Sequence, residues 1–159
     1  MADTVLVRPN RDKTESKATK AIVVLLLVVS AALILIVTVG GWSKLQGAQI
    51  VAIAYIIVYA VMAFYVARWN RGVLPVAAAL AVLFTVFAAV AGPAWFERDK
   101  AGFADPALDP AMLGLLTVIL IPVQLLLVAF AMRGFQQKWN VEVEVAQGDV
   151  APGSRVQPA

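Results

Sequence analysis

The side chains in this sequence that could do chemistry fall into two groups. The first is Ser30, Tyr55, Tyr59 and Gln124, polar residues set inside long hydrocarbon runs. Tyr55 and Tyr59 stand four positions apart, which places both on one face of a helix. Counted inward from the span ends, Tyr55, Thr85 and Thr117 share one level, and Ser30, Tyr59 and Gln124 lie nearer the middle. A hydroxyl, two phenols and an amide at such depths could line a small pocket for a lipid headgroup, a quinone or a hydrophobic ligand, with Tyr59 and Gln124 as donors. The bland use of the same groups is interhelical glue, at about 0.6–2 kcal/mol per hydrogen bond. Glue is the favoured expectation, with ligand binding as the alternative. Gln124 also sits two residues after Pro122, where its amide could satisfy a carbonyl freed by a proline kink.

The second group is the polar interruption "FERDKAGFADPALDP", Phe96 to Pro110, with Glu97, Asp99, Asp105 and Asp109. Calcium needs about six to eight convergent oxygens, and no EF-hand spacing is present. Asp109-Pro110 reads more simply as a helix start, aspartate capping the free N–H groups and proline taking the first helical position. Asp105-Pro106 repeats the pattern one turn earlier. Glu97, Arg98, Asp99 and Lys100 alternate in sign and can neutralise one another, while Trp95, Phe96 and Phe103 would dip toward headgroups. The expectation is a capped connector with no metal site.

Two absences narrow the chemistry further. The chain has no histidine and no cysteine. That leaves no imidazole for proton transfer near neutral pH and no ligands for an ordinary zinc, haem or Fe–S site. A net charge of +3 is too small to argue for nucleic acid. No cofactor and no enzymatic activity are expected.

These residues are positioned by an unusually apolar chain, with 62% hydrophobic residues and 14% charged over 159. Globular domains average about 45–50% apolar. The run from Ala21 to Val39 holds no charge and, as a helix, extends roughly 28 Å, enough to cross a bilayer. It is too long for the apolar region of a cleaved signal peptide and ends in Gly40, Gly41 and Trp42. Further spans are expected at about 49–67, 73–91 and 111–132, with none of the four containing Asp, Glu, Lys or Arg. Buried ionisable groups, the usual mark of ion-coupled transport, are therefore missing. The fold class expected is all-α: an integral membrane protein with four transmembrane helices in an up-down-up-down antiparallel bundle.

Residues 1–20 read as a flexible basic arm, and 133–159 as a largely disordered tail. Nine bases (Arg8, Arg11, Lys13, Lys17, Lys20, Arg68, Arg71, Arg133 and Lys138) fall on the side of the termini, and three (Lys44, Arg98, Lys100) on the other. That imbalance predicts cytoplasmic termini in a cell membrane. Trp42, Trp69, Trp95 and Trp139 all fall at or just beyond span ends, as interface anchors do. Alanines crowd the third span, predicting close packing there and a central place for it, whereas the Val/Ile/Leu-rich first span suits a lipid-facing place. "KWNVEVEV" alternates as a short strand, which could pair with a partner's sheet edge or its own copy, or lie as an extended tail. Membrane lipids are the expected partners, with a protein partner or homo-oligomer possible. A non-enzymatic accessory or scaffolding component of a membrane complex is the function these features suit best.

Overall fold

The computed structural model describes residues 4–98, 106–150, 152 and 156–157. Four helices are long and apolar enough to cross a membrane: α2 (Thr14–Gly40), α3 (Ala48–Ala67), α4 (Val73–Glu97) and α5 (Pro110–Gln136). Three of them run well past the expected ends, α5 by four residues to Gln136. Helix α2 starts seven residues before Ala21 because Thr14–Lys20, though polar, has no helix breaker. Helix α4 continues through the exposed Pro93 to Glu97, so Trp95, Phe96 and Glu97 belong to the helix and not to the connector. Helix α5 begins as its sequence suggests, with Asp109 Oδ1 accepting from the Ala111 N–H at 2.7 Å. Asp99, Lys100, Phe103 and Asp105 lie outside the described residues.

The interior is chosen by residue size and polarity more than by hydrophobicity. On α5 the buried positions are Gly114 and a seam of Leu113, Thr117, Leu120, Gln124, Leu127, Ala131 and Gly134, the seam alternating steps of four and three. That 3.5-residue repeat keeps one seam inward when helices wrap left-handedly. On α2 the buried set is Gly40 and a seam of Ser16, Thr19, Val23, Leu27, Ser30, Ile34 and Thr38, closer to eleven residues per three turns. The outward faces are equally apolar: Leu25, Val28, Leu35 and Ile36 on α2 and Ile50, Ile57 and Phe64 on α3 are all exposed.

The packing order differs from the expected one. Helix α2 packs against both α3 and α5, and α4 packs chiefly against α5, while α3 and α4 scarcely touch. The first span is thus an interior partner of two helices, and the alanine-rich third span is not central. Small residues do admit close approach there: Ala77 and Ala81 are fully buried, and a Cβ on Gly92 would come within 2.9 Å of Val118 Cγ2 on α5. The polar stripe of α2 faces its neighbours, with Ser30 accepting from Gln124 and Thr19 from Gln137.

The arm and tail, expected as flexible and disordered, form a small three-stranded sheet. β1 (Thr4–Val7) pairs antiparallel with β2 (Val143–Ala146), with Val5 opposite Val145, and on its other edge with β3 (Val156–Gln157). The alternating "VEVEV" therefore finds its partner at the other end of its own chain. Behind the sheet, the one-turn helix α1 (Pro9–Asp12) leads through Lys13 into α2.

Ala81 is fully buried and Val28 about half exposed. Ala81→Leu should therefore lower stability by about 1–3 kcal/mol through overpacking, whereas Val28→Leu should leave it unchanged. Thermal unfolding of the two variants in the same detergent measures the contrast, and equal melting temperatures would refute this packing.

Candidate functional site

Near the middle of three helices, the polar residues singled out by sequence meet each other. The Tyr59 hydroxyl on α3 donates to Gln124 Oε1 on α5 at 2.7 Å. The Gln124 Nε2 amide donates to Ser30 Oγ on α2 at 2.8 Å. Ser30 in turn donates to the Leu26 carbonyl of its own helix at 2.7 Å. All three side chains have no exposed surface. One glutamine thus joins α2, α3 and α5, and its amide does not go to a carbonyl freed by Pro122.

Tyr55 stands apart from this relay. Its hydroxyl donates to the Leu80 carbonyl of α4 at 3.3 Å, and its ring meets Tyr59, Phe84 and Phe87 edge-on. It is therefore a strut across α3 and α4, the weakest of the four packed helix pairs. Thr38, Thr85 and Thr117 donate to carbonyls four residues back in their own helices, the usual way a hydroxyl hides in an apolar helix. The expected shared level of Tyr55, Thr85 and Thr117 is not a cluster. Among the described residues no buried side-chain nitrogen or oxygen lacks a partner. Chemically, the arrangement holds helices together, and each of its buried polar atoms is bonded within the protein.

A second amide repeats the device where the termini gather, and sequence reasoning missed it. Gln137, just after α5, donates through Nε2 to Thr19 Oγ1 on α2 at 3.0 Å and accepts from the Trp139 indole N–H at 3.0 Å. Trp139 is completely buried and meets Trp69 edge-to-face at 5.3 Å. Lys20 places its ammonium 4.2 Å over the Trp69 ring and donates to the Ala67 carbonyl. Arg11 Nε donates to the Trp139 carbonyl and Asn10 Nδ2 to that of Lys138. Arg8 pairs with Glu142. The arm is thereby tied to the tail at several points. The available signal was the short, mostly β-branched run "TVLV" at Thr4–Val7, equal in length to the strand Val143–Ala146 that it pairs with.

Trp69 carries the tightest backbone in this cluster, with φ at 65°, where glycine is the usual residue. Its N–H donates to the Val66 carbonyl and that of Asn70 to Tyr65, the two bonds that close a helix C-terminus in this way. Burial of the ring against Trp139 offsets the strain of a large residue there, about 1–2 kcal/mol.

Three of the four tryptophans expected as interface anchors are thus packed within the protein. Trp69 and Trp139 form the clamp, and Trp95 lies against Gly41, whose Cβ would fall 2.5 Å from its ring. Trp42 alone of the four is largely exposed. At the far end, the Leu108 N–H donates to the Gly40 carbonyl at 3.1 Å, strapping the connector to α2. Glu97 is exposed and Arg98 lies over the Trp95 ring at 5.1 Å. No group of three or more acids that could hold a metal ion occurs among the described residues.

Comparison with protein-family models, with curated proteins and with solved structures returned no match for this chain.

Gln124→Leu strands the Tyr59 hydroxyl, and it should destabilise the bundle by about 1–3 kcal/mol. Adding Tyr59→Phe should recover much of that loss, because the stranded group is then removed. Unfolding of both singles and the double in detergent reads the coupling; strictly additive losses would mean the bond is energetically idle. At the other end, Trp139→Ala should remove about 3–5 kcal/mol of packing and release the arm. Limited trypsin digestion should then cut at Lys13 and Lys17 well before it does in the unaltered chain.

Proposed function

We propose that this chain is a non-enzymatic accessory or scaffolding component of a membrane complex. The observation that carries the reading is the self-satisfied polar interior: Ser30, Tyr59 and Gln124 are wholly buried and bonded to one another. A binding or transport site would need some of those donors and acceptors turned toward a cavity. Their mutual bonding favours a structural role over the alternative, a Tyr/Gln pocket for a lipid, quinone or other small ligand.

In this proposal the chain sits in the cell membrane in an up-down-up-down arrangement, with both termini in the cytoplasm. The contacts support the antiparallel course of α2 and α5: Thr19, Ser30 and Gly40 meet Gln137, Gln124 and Leu108, rising numbers against falling ones. Strand pairing of Thr4–Val7 with Val143–Ala146 supports both termini on one side. Nine bases on that side against three on the other support its cytoplasmic placement. Among the described residues, a surface left for a partner is the outer edge of β2, with Glu142, Val143 and Glu144 exposed.

The role is tested by native mass spectrometry of the chain extracted in mild detergent from its own membrane. A stoichiometric protein partner is the expected result. A retained small molecule that disappears in the Tyr59→Phe/Gln124→Leu double variant would replace this reading with the ligand-binding one. Orientation is tested separately, and the absence of native cysteine makes the background clean. Ser43→Cys should react with a membrane-impermeant maleimide on intact cells, and Glu144→Cys only after permeabilisation; the reverse pattern would invert the topology.

A further inference from the structure

Where the apolar surface ends on the side of the termini, its rim is set with arginines that have no acid in their own segments. No Asp or Glu occurs from Ser16 to Phe96, or from Pro110 to Val141. Arg68 and Arg71 fall in the first stretch and Arg133 in the second. Arg8 has Glu142 for a partner, whereas Arg68, Arg71 and Arg133 make no ion pair among the described residues.

Two of these arginines are held in place by something other than charge. The Arg68 guanidinium stacks over the Phe64 ring at 4.8 Å, and Phe64 is 54% exposed on the outer face of α3. Arg71 donates from Nε to the Phe135 carbonyl at 2.6 Å and lies over the Phe135 ring at 4.1 Å. That grip uses one edge of the guanidinium and leaves its Nη groups without a protein acceptor among the described residues. Both therefore stand at the boundary between hydrocarbon and water, with N–H forks that suit phosphate oxygens.

We propose that Arg68 and Arg71, on the turn between α3 and α4, form a docking patch for the headgroup of an anionic phospholipid. A lipid fits better than a soluble anion because the patch continues into an apolar strip. Val61, Phe64 and Tyr65 are all exposed directly before it on α3, where acyl chains of the same molecule would lie. Of the four helix pairs that pack side by side, α3–α4 is the weakest, so a lipid bridging the turn would reinforce the neighbouring junction with the least protein support. The inference rests on the membrane-embedded architecture and is independent of the accessory role.

The test uses the full chain in nanodiscs containing equal phosphatidylglycerol and phosphatidylcholine, with native mass spectrometry of the lipids retained after release. The unaltered chain should retain phosphatidylglycerol preferentially. Arg68→Gln should cut the preference about fivefold, the factor that one juxtamembrane base contributes, and Arg68→Gln/Arg71→Gln should cut it further. Lys13→Gln/Lys17→Gln on the arm should change it little. Arg71 also braces Phe135, so the single Arg68→Gln variant, whose guanidinium touches only an exposed ring, keeps the outcome independent of folding. Equal retention of both lipids by the unaltered chain would overturn the proposal. So would a preference that survives Arg68→Gln but vanishes with the arm lysines.

Discussion

Inside the apolar slab no water stands ready to accept a proton or donate one, so every amide and hydroxyl must find its partner in the protein. Gln124 brings the most demanding side chain in the bundle, with two N–H donors and a carbonyl to place. Its answer reaches Ser30 on one helix and Tyr59 on another, and that answer fixes which faces of α2, α3 and α5 turn inward. Leucine and valine could not fix this, because lipid tails are as good a solvent for them as other helices are. The apolar contacts then fill the space that the polar relay has defined.

The same logic acts at the end where the termini gather, with aromatic rings added. There Gln137 plays the part of Gln124, bonding α2 through Thr19 and steadying the Trp139 indole. Trp139 and Trp69 supply the bulk, and Lys20 places its charge over the Trp69 ring. The sheet formed by β1, β2 and β3 extends this clamp, so that arm and tail act as one folded cap on the helices. Membrane spans and cap are thus joined through a continuous set of contacts along α2 and α5.

The four spans were legible because length and unbroken apolarity suffice to mark them, and the helix start at Asp109-Pro110 because capping chemistry is local. The neighbours of each span were not legible. When every face is apolar, periodicity no longer separates inside from outside; the useful marks were the scarce polar residues, Ser30 and Thr38 on α2 among them. Reading the alanines of α4 as central overlooked that small residues license close approach on one side only, here toward α5 at Gly92. The relay was half legible: depth brought Ser30, Tyr59 and Gln124 together and set Tyr55 at another level, but the pocket reading still grouped Tyr55 with them, whereas it turns to Leu80. The cap was missed because its two longer strands are only four residues each and far apart in sequence. Either alone resembles an unstructured end.

Ser30 and Gln124 are separated by 94 residues, and during synthesis that distance becomes time. At about 5–20 residues per second, α2 would wait on the order of 5–20 seconds for the amide that completes its inner face. Ser30 can bear the delay, since its hydroxyl already bonds the Leu26 carbonyl one turn behind. Gln124 could not wait so easily, and it has no need to: when α5 emerges, both of its partners are already made. The arm likewise has no strand to pair with until the last helix is finished. The chain is therefore written with its self-sufficient polar group early and its dependent one late.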